Sequence, residues 1–398
     1  MDNIVLTLNL DKGATVMHRH PWVFSGALRD VTREIPHGAI VQVAEPDGTI
    51  LCTGTYSNRG SIAVRVLEFG PANINRDWFV RRLKRADQSR RILGFGPVSE
   101  TTGYRVVFGE SDGVPGLVID RYGDVLVMQI GTMGMELLKG VLIEALVEVF
   151  APTVIVERSD SGSRSEEGLK EMVTVHHGPD PGRVAFREYG LQFQADVMHG
   201  QKTGFYLDQK DLRQEIMKLA GGRSVLNLFS NTGSFGVAAL KGGASGVMNV
   251  DSSETALRQC RPMAEQNGLN TELVRTECAD VFQWLGAHTE DAYDMVLVDP
   301  PALIKFKRDA EAGRRAYHFL NRAAMRLVRT GGVLVSSSCS NYFSSDDLVF
   351  TLRRASVQNR IELQTRKHVT QSADHPVSIY FPEAAYLSSL ICRVERQE

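Results

Sequence analysis

Short runs of aliphatic and β-branched residues open the chain, at 4–10, 39–44, 50–56 and 62–67, with polar turns such as Pro46-Asp47-Gly48 between them. Runs of this length bounded by turn residues predict a small β-barrel that ends at Gly70-Pro71. The period then changes. Trp78, Phe79, Leu83, Ala86 and Leu93 recur at helical spacing, which predicts a helix over 75–93 with one apolar stripe. Strands return at 104–108, 116–120 and 125–130, with turns at Ser111-Asp112-Gly113 and Tyr122-Gly123-Asp124. A helix at 135–149 and strands at 153–157 and 173–176 complete a compact α+β region, in which 158–162 reads as a polar loop.

From about Leu191 strands (225–229, 246–250, 271–277, 292–298, 332–337) alternate with helices (232–241, 254–267, 317–328, 345–358). Such alternation predicts a parallel sheet covered on both faces. Ligands of these sheets sit beyond the carboxyl ends of the strands.

A chain of 398 residues has room for two or three domains at roughly 150 residues each. The pattern divides it at 1–70, 71–190 and 191–398. No apolar run reaches the roughly 18 residues of a membrane span. Residues 1–5 lack the basic and apolar regions of a secretory signal, so a cytoplasmic location is expected. The five cysteines are scattered and form no CxxC pair, which argues against zinc and a disulfide framework; no metal is expected. A net charge of −2 excludes a globally basic nucleic-acid binder but not a local basic surface. Arg76, Arg81, Arg82, Lys84, Arg85, Arg90 and Arg91 crowd one stretch; Lys305, Lys307, Arg308, Arg314 and Arg315 crowd another. Either cluster could neutralise phosphates, and the first also reads as a solvated helix face.

The chemistry concentrates at successive strand ends. Phe229-Ser230-Asn231-Thr232-Gly233 turns from a buried strand into a helix, and Gly233 permits close backbone approach to a ligand. Only Gly233 and Gly236 are present, so the GxGxxG pyrophosphate fingerprint is missing. S-adenosylmethionine (SAM) carries no pyrophosphate and suits this turn. Asp251, followed by Ser252, ends the next strand, where a carboxylate can take ribose hydroxyls. Asp280 ends the third; it could accept from the adenine amino group, with Val281 or Phe282 against the ring. Capping of the following helices is the plainer role for both aspartates. Asp299-Pro300-Pro301 ends the fourth strand, and the prolines impose an extended exit. Ala302-Leu303 follows instead of an aromatic residue, against adenine-N6 chemistry. Ser338-Cys339-Ser340 ends the fifth. A lone cysteine is usually a small buried hydrophobe. Here it stands beside the Asp299 strand. A thiolate adding to carbon 6 of cytosine makes carbon 5 nucleophilic enough to accept a methyl group. Its ordinary pKa of about 8.5 requires the site to promote the thiolate. Asp299 could hold the N3 edge of a base taken out of its stack. Cys52, Cys260, Cys278 and Cys392 read as structural.

Along essentially its full length the chain resembles the bacterial large-subunit rRNA cytosine-C5 methyltransferases with an N-terminal PUA domain. The resemblance is carried by His20-Pro21-Trp22-Val23-Phe24-Ser25-Gly26-Ala27, by Asp112-Gly113-Val114-Pro115-Gly116 through Arg121, and by Lys202-Thr203-Gly204-Phe205-Tyr206-Leu207-Asp208-Gln209. Phe229 to Phe235, Ala373-Asp374-His375-Pro376-Val377 and Phe381-Pro382-Glu383 complete the set. It implies a multidomain chain: a PUA β-barrel, a central α+β domain and a Rossmann-like class I methyltransferase domain. It implies SAM as methyl donor, cytosine in 23S rRNA as substrate and Cys339 as nucleophile. It places Asp208 or Gln209 near the amino-acid end of SAM and His375 in the base pocket. Pro300, Pro301, Arg81, Arg82, Arg85, Lys305 and Lys307 are then candidates for contact with the base or RNA, and a homodimer is left open. Two other readings stay open: a different methyl acceptor (guanine, a protein or a small molecule), and a non-catalytic RNA-binding ribosome-assembly protein.

Overall fold

The computed structural model describes residues 4–10, 12–29, 34–160, 162–289 and 292–396. Residues 1–3, part of the stretch in which a secretory signal was sought, and Ser161 of the predicted polar loop lie outside these. The chain divides into two compact units. The first comprises Met1–Gly190, Gln194–Leu207 and Ala373–Ala384; the second comprises Leu191–Phe193, Asp208–Ser372 and Ala385–Glu398.

The first unit begins with a five-stranded sheet in the order Ile4–Thr7, Ile40–Ala44, Ile50–Tyr56, Ile62–Phe69, Trp22–Phe24. The first pair is parallel and the rest antiparallel. Alternating Val41, Val43, Val64 and Val66 bury themselves with Leu6, Leu8 and Val23. Trp22–Phe24 is not expected as a strand from sequence, because three residues carry too little pattern. A second sheet follows in the order Met172–His177, Val154–Ser159, Val125–Ile130, Leu117–Tyr122, Gly103–Phe108. Its core includes Trp78, Phe79, Leu83 and Ala86 of the helix Arg76–Ile92, and Leu142, Ala145 and Leu146 of the helix Met133–Phe150. Asn75 and Thr132 cap these helices through their side-chain oxygens.

The predicted polar loop at 158–162 is corrected. Arg158 and Ser159 finish a strand, and Arg158 is buried, donating to the carbonyls of Val197 (3.1 Å) and Gly200 (2.8 Å). Burial is tolerable because the guanidinium donors are used.

The second unit is built on seven strands: β1 (Ser224–Leu228), β2 (Gly246–Asp251), β3 (Val274–Cys278), β4 (Tyr293–Val298), β5 (Val328–Ser338), β6 (Ile361–Thr370) and β7 (Ser388–Arg396). Their order is β3-β2-β1-β4-β5-β7-β6. The first five are parallel, whereas β7 pairs antiparallel with both β5 and β6. The expected parallel sheet is therefore a mixed one. β6 escaped the pattern because it is an edge strand: Gln364-Thr365-Arg366-Lys367-His368 is mostly exposed and shows no apolar alternation.

Among the described residues seven α-helices accompany these strands: α1 (Lys210–Leu219), α2 (Ser234–Lys241), α3 (Glu254–Leu257), α4 (Cys260–Gln266), α5 (Val281–Ala287), α6 (Ala310–Arg326) and α7 (Ser345–Asn359). Successive strand residues face opposite layers. Leu226, Val296 and Leu334 pack under α5, α6 and α7, while Val225, Met295 and Val333 pack under α1, α2 and α4. Both faces are dry, which is why the strands read as continuous apolar runs. The single helix predicted over 254–267 is broken. Pro262 has no N–H for the Arg258 carbonyl and its ring crowds that carbonyl, so the chain restarts at Cys260. The helix predicted at 317–328 instead begins at Ala310, because its first turns are charged and carry no apolar stripe.

Candidate active site

After β1 the backbone enters the left-handed region at alternate residues: Phe229 (φ +56°), Asn231 (φ +47°) and Gly233 (φ +82°). Only glycine does so without strain; each non-glycine residue stores about 1–2 kcal/mol. Such strain persists where neighbouring contacts over-determine it. Here Ser230 N donates to the Val250 carbonyl (3.1 Å), Asn231 N to Asp251 Oδ2 (2.8 Å) and Thr232 N to Asn231 Oδ1 (2.6 Å). Gly233 then caps α2, and a Cβ on it would stand 2.6 Å from Cys260 Sγ.

Asp251 is half-buried at the end of β2. Each carboxylate oxygen accepts one N–H, from Asn231 and from Ser253 (2.9 Å), leaving lone pairs on both. Ser252 beside it is exposed. Asp280 is exposed and caps α5 through Gln283 N (3.0 Å), so its plainer role is realised. Val281 turns into the core and leaves Phe282 as the half-buried residue there, edge-on to Phe229 at 6.2 Å.

Asp299 is half-buried at the end of β4. Gln209 Nε2 donates to both of its oxygens at 3.0 Å. Gln209 is itself buried, and its Oε1 has no hydrogen-bond partner; nor does the buried Ser230 Oγ. Buried acceptors left unmet in this way mark a place for a polar ligand. Asp208 is held by the Tyr386 hydroxyl at 2.6 Å. Pro300 is buried and Pro301 exposed.

Cys339 is half-buried directly after β5. Hydroxyls brace the chain on both sides of it. Ser338 Oγ donates to the Tyr317 hydroxyl (2.9 Å), which also bonds Ser340 Oγ (2.9 Å). Ser340 Oγ accepts from Ile304 N (3.2 Å), five residues beyond Asp299. The Asp299 loop and the Cys339 loop are thus tied through one serine. Tyr317 is fully buried, and burial pushes its hydroxyl pKa up, so it remains a neutral donor. This tyrosine was missed in the sequence: it lies 22 residues before Cys339, and only the fold joins them. Burial pushes the thiols of Cys52 and Cys260 up to about 12, and raises that of Cys392. Cys278, read as structural, is exposed at the end of β3 instead.

The basic cluster of the first unit sorts into two kinds. Arg90 is buried and clasps Asp112 at 2.7 and 2.8 Å. Arg82 turns inward to Glu68 (2.8 Å) and lies over Trp78, so its expected role toward RNA is not matched by an outward guanidinium. Arg81, Lys84 and Arg85, at helical i, i+3 and i+4 spacing, are exposed on one face. Lys305 and Lys307 are exposed in the second unit. His375 belongs to the first unit, where it is buried with its Nδ1 3.0 Å from Asp374 Oδ1 and its ring against Phe108.

Residues 181–364 match the family model described as S-adenosylmethionine-dependent methyltransferase, and residues 6–69 match a PUA-like domain. The chain is 38% identical over 398 residues to the ribosomal RNA large subunit methyltransferase I of Shewanella frigidimarina, spanning 98% of this chain and 99% of that one. It belongs to the ribosomal RNA large subunit methyltransferase I family. Another family member, from Photobacterium profundum, is 39% identical and covers 96% of this chain and 97% of its own. A solved chain described as a methyltransferase complexed with SAH has the same fold, with a TM-score of 0.82 over 98% of this chain and 100% of its own, at 20% identity. This family member therefore has the expected multidomain architecture, a PUA-like domain followed by a Rossmann-like α/β methyltransferase domain, and uses SAM.

Proposed function

We propose that the chain transfers a methyl group from SAM to carbon 5 of a cytosine in 23S ribosomal RNA, through a covalent adduct with Cys339. The name shared by its relatives supports the rRNA substrate. The observation that carries the chemistry is the braced thiol: Cys339 sits between two buried serines joined through the Tyr317 hydroxyl, and one of them, Ser340, accepts from Ile304 N of the Asp299 loop.

SAM supplies the methyl group. Asp251 would hold its ribose, Phe282 and Asp280 would border its adenine, and Ser230 Oγ and Gln209 Oε1 would meet its amino-acid end. Phe229, Asn231, Thr232 and Gly233 form the cradle. Deprotonated Cys339 adds to carbon 6 of the cytosine, pushing the ring electrons toward carbon 5, which takes the methyl group. Loss of the carbon-5 proton to a base then expels the thiolate and restores the ring. Asp299, oriented by Gln209, would hold the N3 edge, in protonated form if it donates to N3, with Pro300 and Pro301 shaping the base pocket. Arg81, Lys84, Arg85, Lys305 and Lys307 grip phosphates. The domains would divide at 1–70, 71–190 and 191–398, and a cytoplasmic location would fit an rRNA substrate.

The test is transfer from labelled SAM to rRNA lacking the modification, followed by nucleoside analysis. Label in 5-methylcytidine is expected, with Cys339→Ala abolishing turnover while SAM binding survives. Label in another nucleoside would discard the role of Cys339. SAM binding without transfer to any rRNA substrate would favour a non-catalytic assembly protein.

A further inference from the structure

The outer side of the α5–α6–α7 layer carries a cleft of about 140 Å³, lined by His318, Phe319, Arg322, Ala323 and Arg326. His318 Nε2 and Arg326 Nε are buried atoms with no hydrogen-bond partner. The neighbouring arginines are neutralised: Arg314 by Asp347, Arg315 by Glu311 and Arg329 by Asp294. Among the described residues Arg322, Arg326 and Arg354 have no such carboxylate. Only Arg326 lies in a last helical turn, where the helix dipole favours a cation. His318 reports the local field: its pKa is held below the ordinary value first by burial, then by the charges of Arg354 and Arg322. No carboxylate among the lining residues balances this charge.

The lining also includes an aromatic surface. Phe319 is 41% exposed and stacks on Phe282 at 6.0 Å with 16° between the rings. Phe282 in turn meets Phe229 of the cradle. Unpaired donors beside an exposed ring match the two chemistries of a nucleic-acid strand, phosphate and base face.

We propose that this cleft is a second RNA-binding surface, seating a backbone phosphate of the substrate on Arg322, Arg326 and Arg354, with Phe319 offered to a base of the same strand. The proposal rests on the reading of the chain as an RNA methyltransferase. It concerns a surface that the methyl-transfer chemistry does not use.

The experiment measures affinity of the full chain for an rRNA transcript at several salt concentrations. Wild type is compared with Arg322→Ala/Arg354→Ala and with Phe319→Ala, with the urea-unfolding midpoint as the control for folding. Both arginines are exposed, so their removal leaves the core intact. The double variant should bind RNA roughly tenfold more weakly, with a slope of log K against log salt shallower by about 0.7 for each phosphate no longer neutralised. Phe319→Ala should weaken binding without changing the slope. Wild-type affinity and slope in the double variant would overturn the cleft's role while leaving the methyltransferase reading intact. A shift of the His318 ring resonance by inorganic phosphate, with RNA affinity unchanged in the variant, would identify a free-anion site and also overturn it. A wild-type chain that holds no RNA would instead sink the functional reading on which the cleft depends.

Discussion

Tyr317→Phe removes one oxygen from the brace beside Cys339 and leaves the ring in place. The phenyl group keeps its stack on Phe343, with centroids 4.3 Å apart, so packing is unchanged. Two hydrogen bonds disappear, from Ser338 Oγ and to Ser340 Oγ, both 2.9 Å and both buried. At about 1 kcal/mol each, with some penalty for hydroxyls left unpaired, the variant should be destabilised by about 1–3 kcal/mol. Urea unfolding should show a lower midpoint with an unaltered slope. The larger effect should be on turnover. Ser338 and Ser340 flank the nucleophile, and a misplacement of about 1 Å can lower a rate about a hundredfold. Single-turnover methyl transfer should therefore fall ten- to a hundredfold, about 1.4–2.8 kcal/mol in barrier, while SAM affinity stays at the wild-type value. A double-mutant cycle with Ser338→Ala should return a coupling of about 0.5–1.5 kcal/mol. A variant that loses stability but methylates at the wild-type rate would show that the brace does not position Cys339. No loss of stability would refute the hydrogen-bond reasoning itself.

Other outcomes follow from the same geometry. Gly233→Ala combines a φ of +82° with a Cβ 2.6 Å from Cys260 Sγ; calorimetry should show a loss of about 2–4 kcal/mol with weaker SAM binding, and Cys260→Ala should restore only the steric part. Arg90→Leu leaves Asp112 without its clasp and should cost about 3–5 kcal/mol in urea unfolding, whereas exposed Arg85→Ala should cost under about 0.5 kcal/mol and instead weaken RNA binding. Burial alone would raise the pKa of Glu157, but hydrogen bonds from His176, Ser159 and Lys139 together hold it below its ordinary 4.5. A depressed folded-state pKa contributes stability that is full above the unfolded value and is lost as pH falls through the folded one. Glu157→Gln should therefore be destabilised at pH 7, and the gap to wild type should narrow as pH falls below the ordinary 4.5; a gap that widens on acidification would refute the assignment.

Much of the fold was legible because it depends on local periodicity. Trp78, Phe79, Leu83 and Ala86 announced their helix, and the parallel strands announced themselves as dry runs such as Met295-Val296-Leu297-Val298. What escaped was set by tertiary partners. β6 is polar because one edge of the sheet meets water, and Arg158 is buried because distant carbonyls, together with Asp160, accept its donors. The strand-end aspartates and Cys339 could be named from sequence, since each stands at or just past the end of an expected strand. Their supports could not: Gln209 meets Asp299 from 90 residues away, and Tyr317 reaches Ser338 and Ser340 through the fold. The arginines of Arg76–Ile92 looked alike in sequence; helical phase and the positions of Asp112 and Glu68 separate the clasped from the exposed.

The return of Ala373–Ala384 to the first unit bears on how the protein is made. Arg90 donates to the Asp374 carbonyl (2.8 Å), and Arg105 N donates to the Asp374 carboxylate (2.8 Å). The nascent first unit therefore emerges lacking two acceptors that are translated about 180 residues later. At roughly 5–20 residues per second, that interval lasts on the order of 10–40 seconds. Throughout it, the Arg90 guanidinium and the edge of the Gly103–Phe108 strand must wait partly unsatisfied. Maturation of the amino-terminal half is thereby coupled to near-completion of synthesis, and a message truncated before codon 373 would yield a polypeptide whose first unit is unfinished as well as its second.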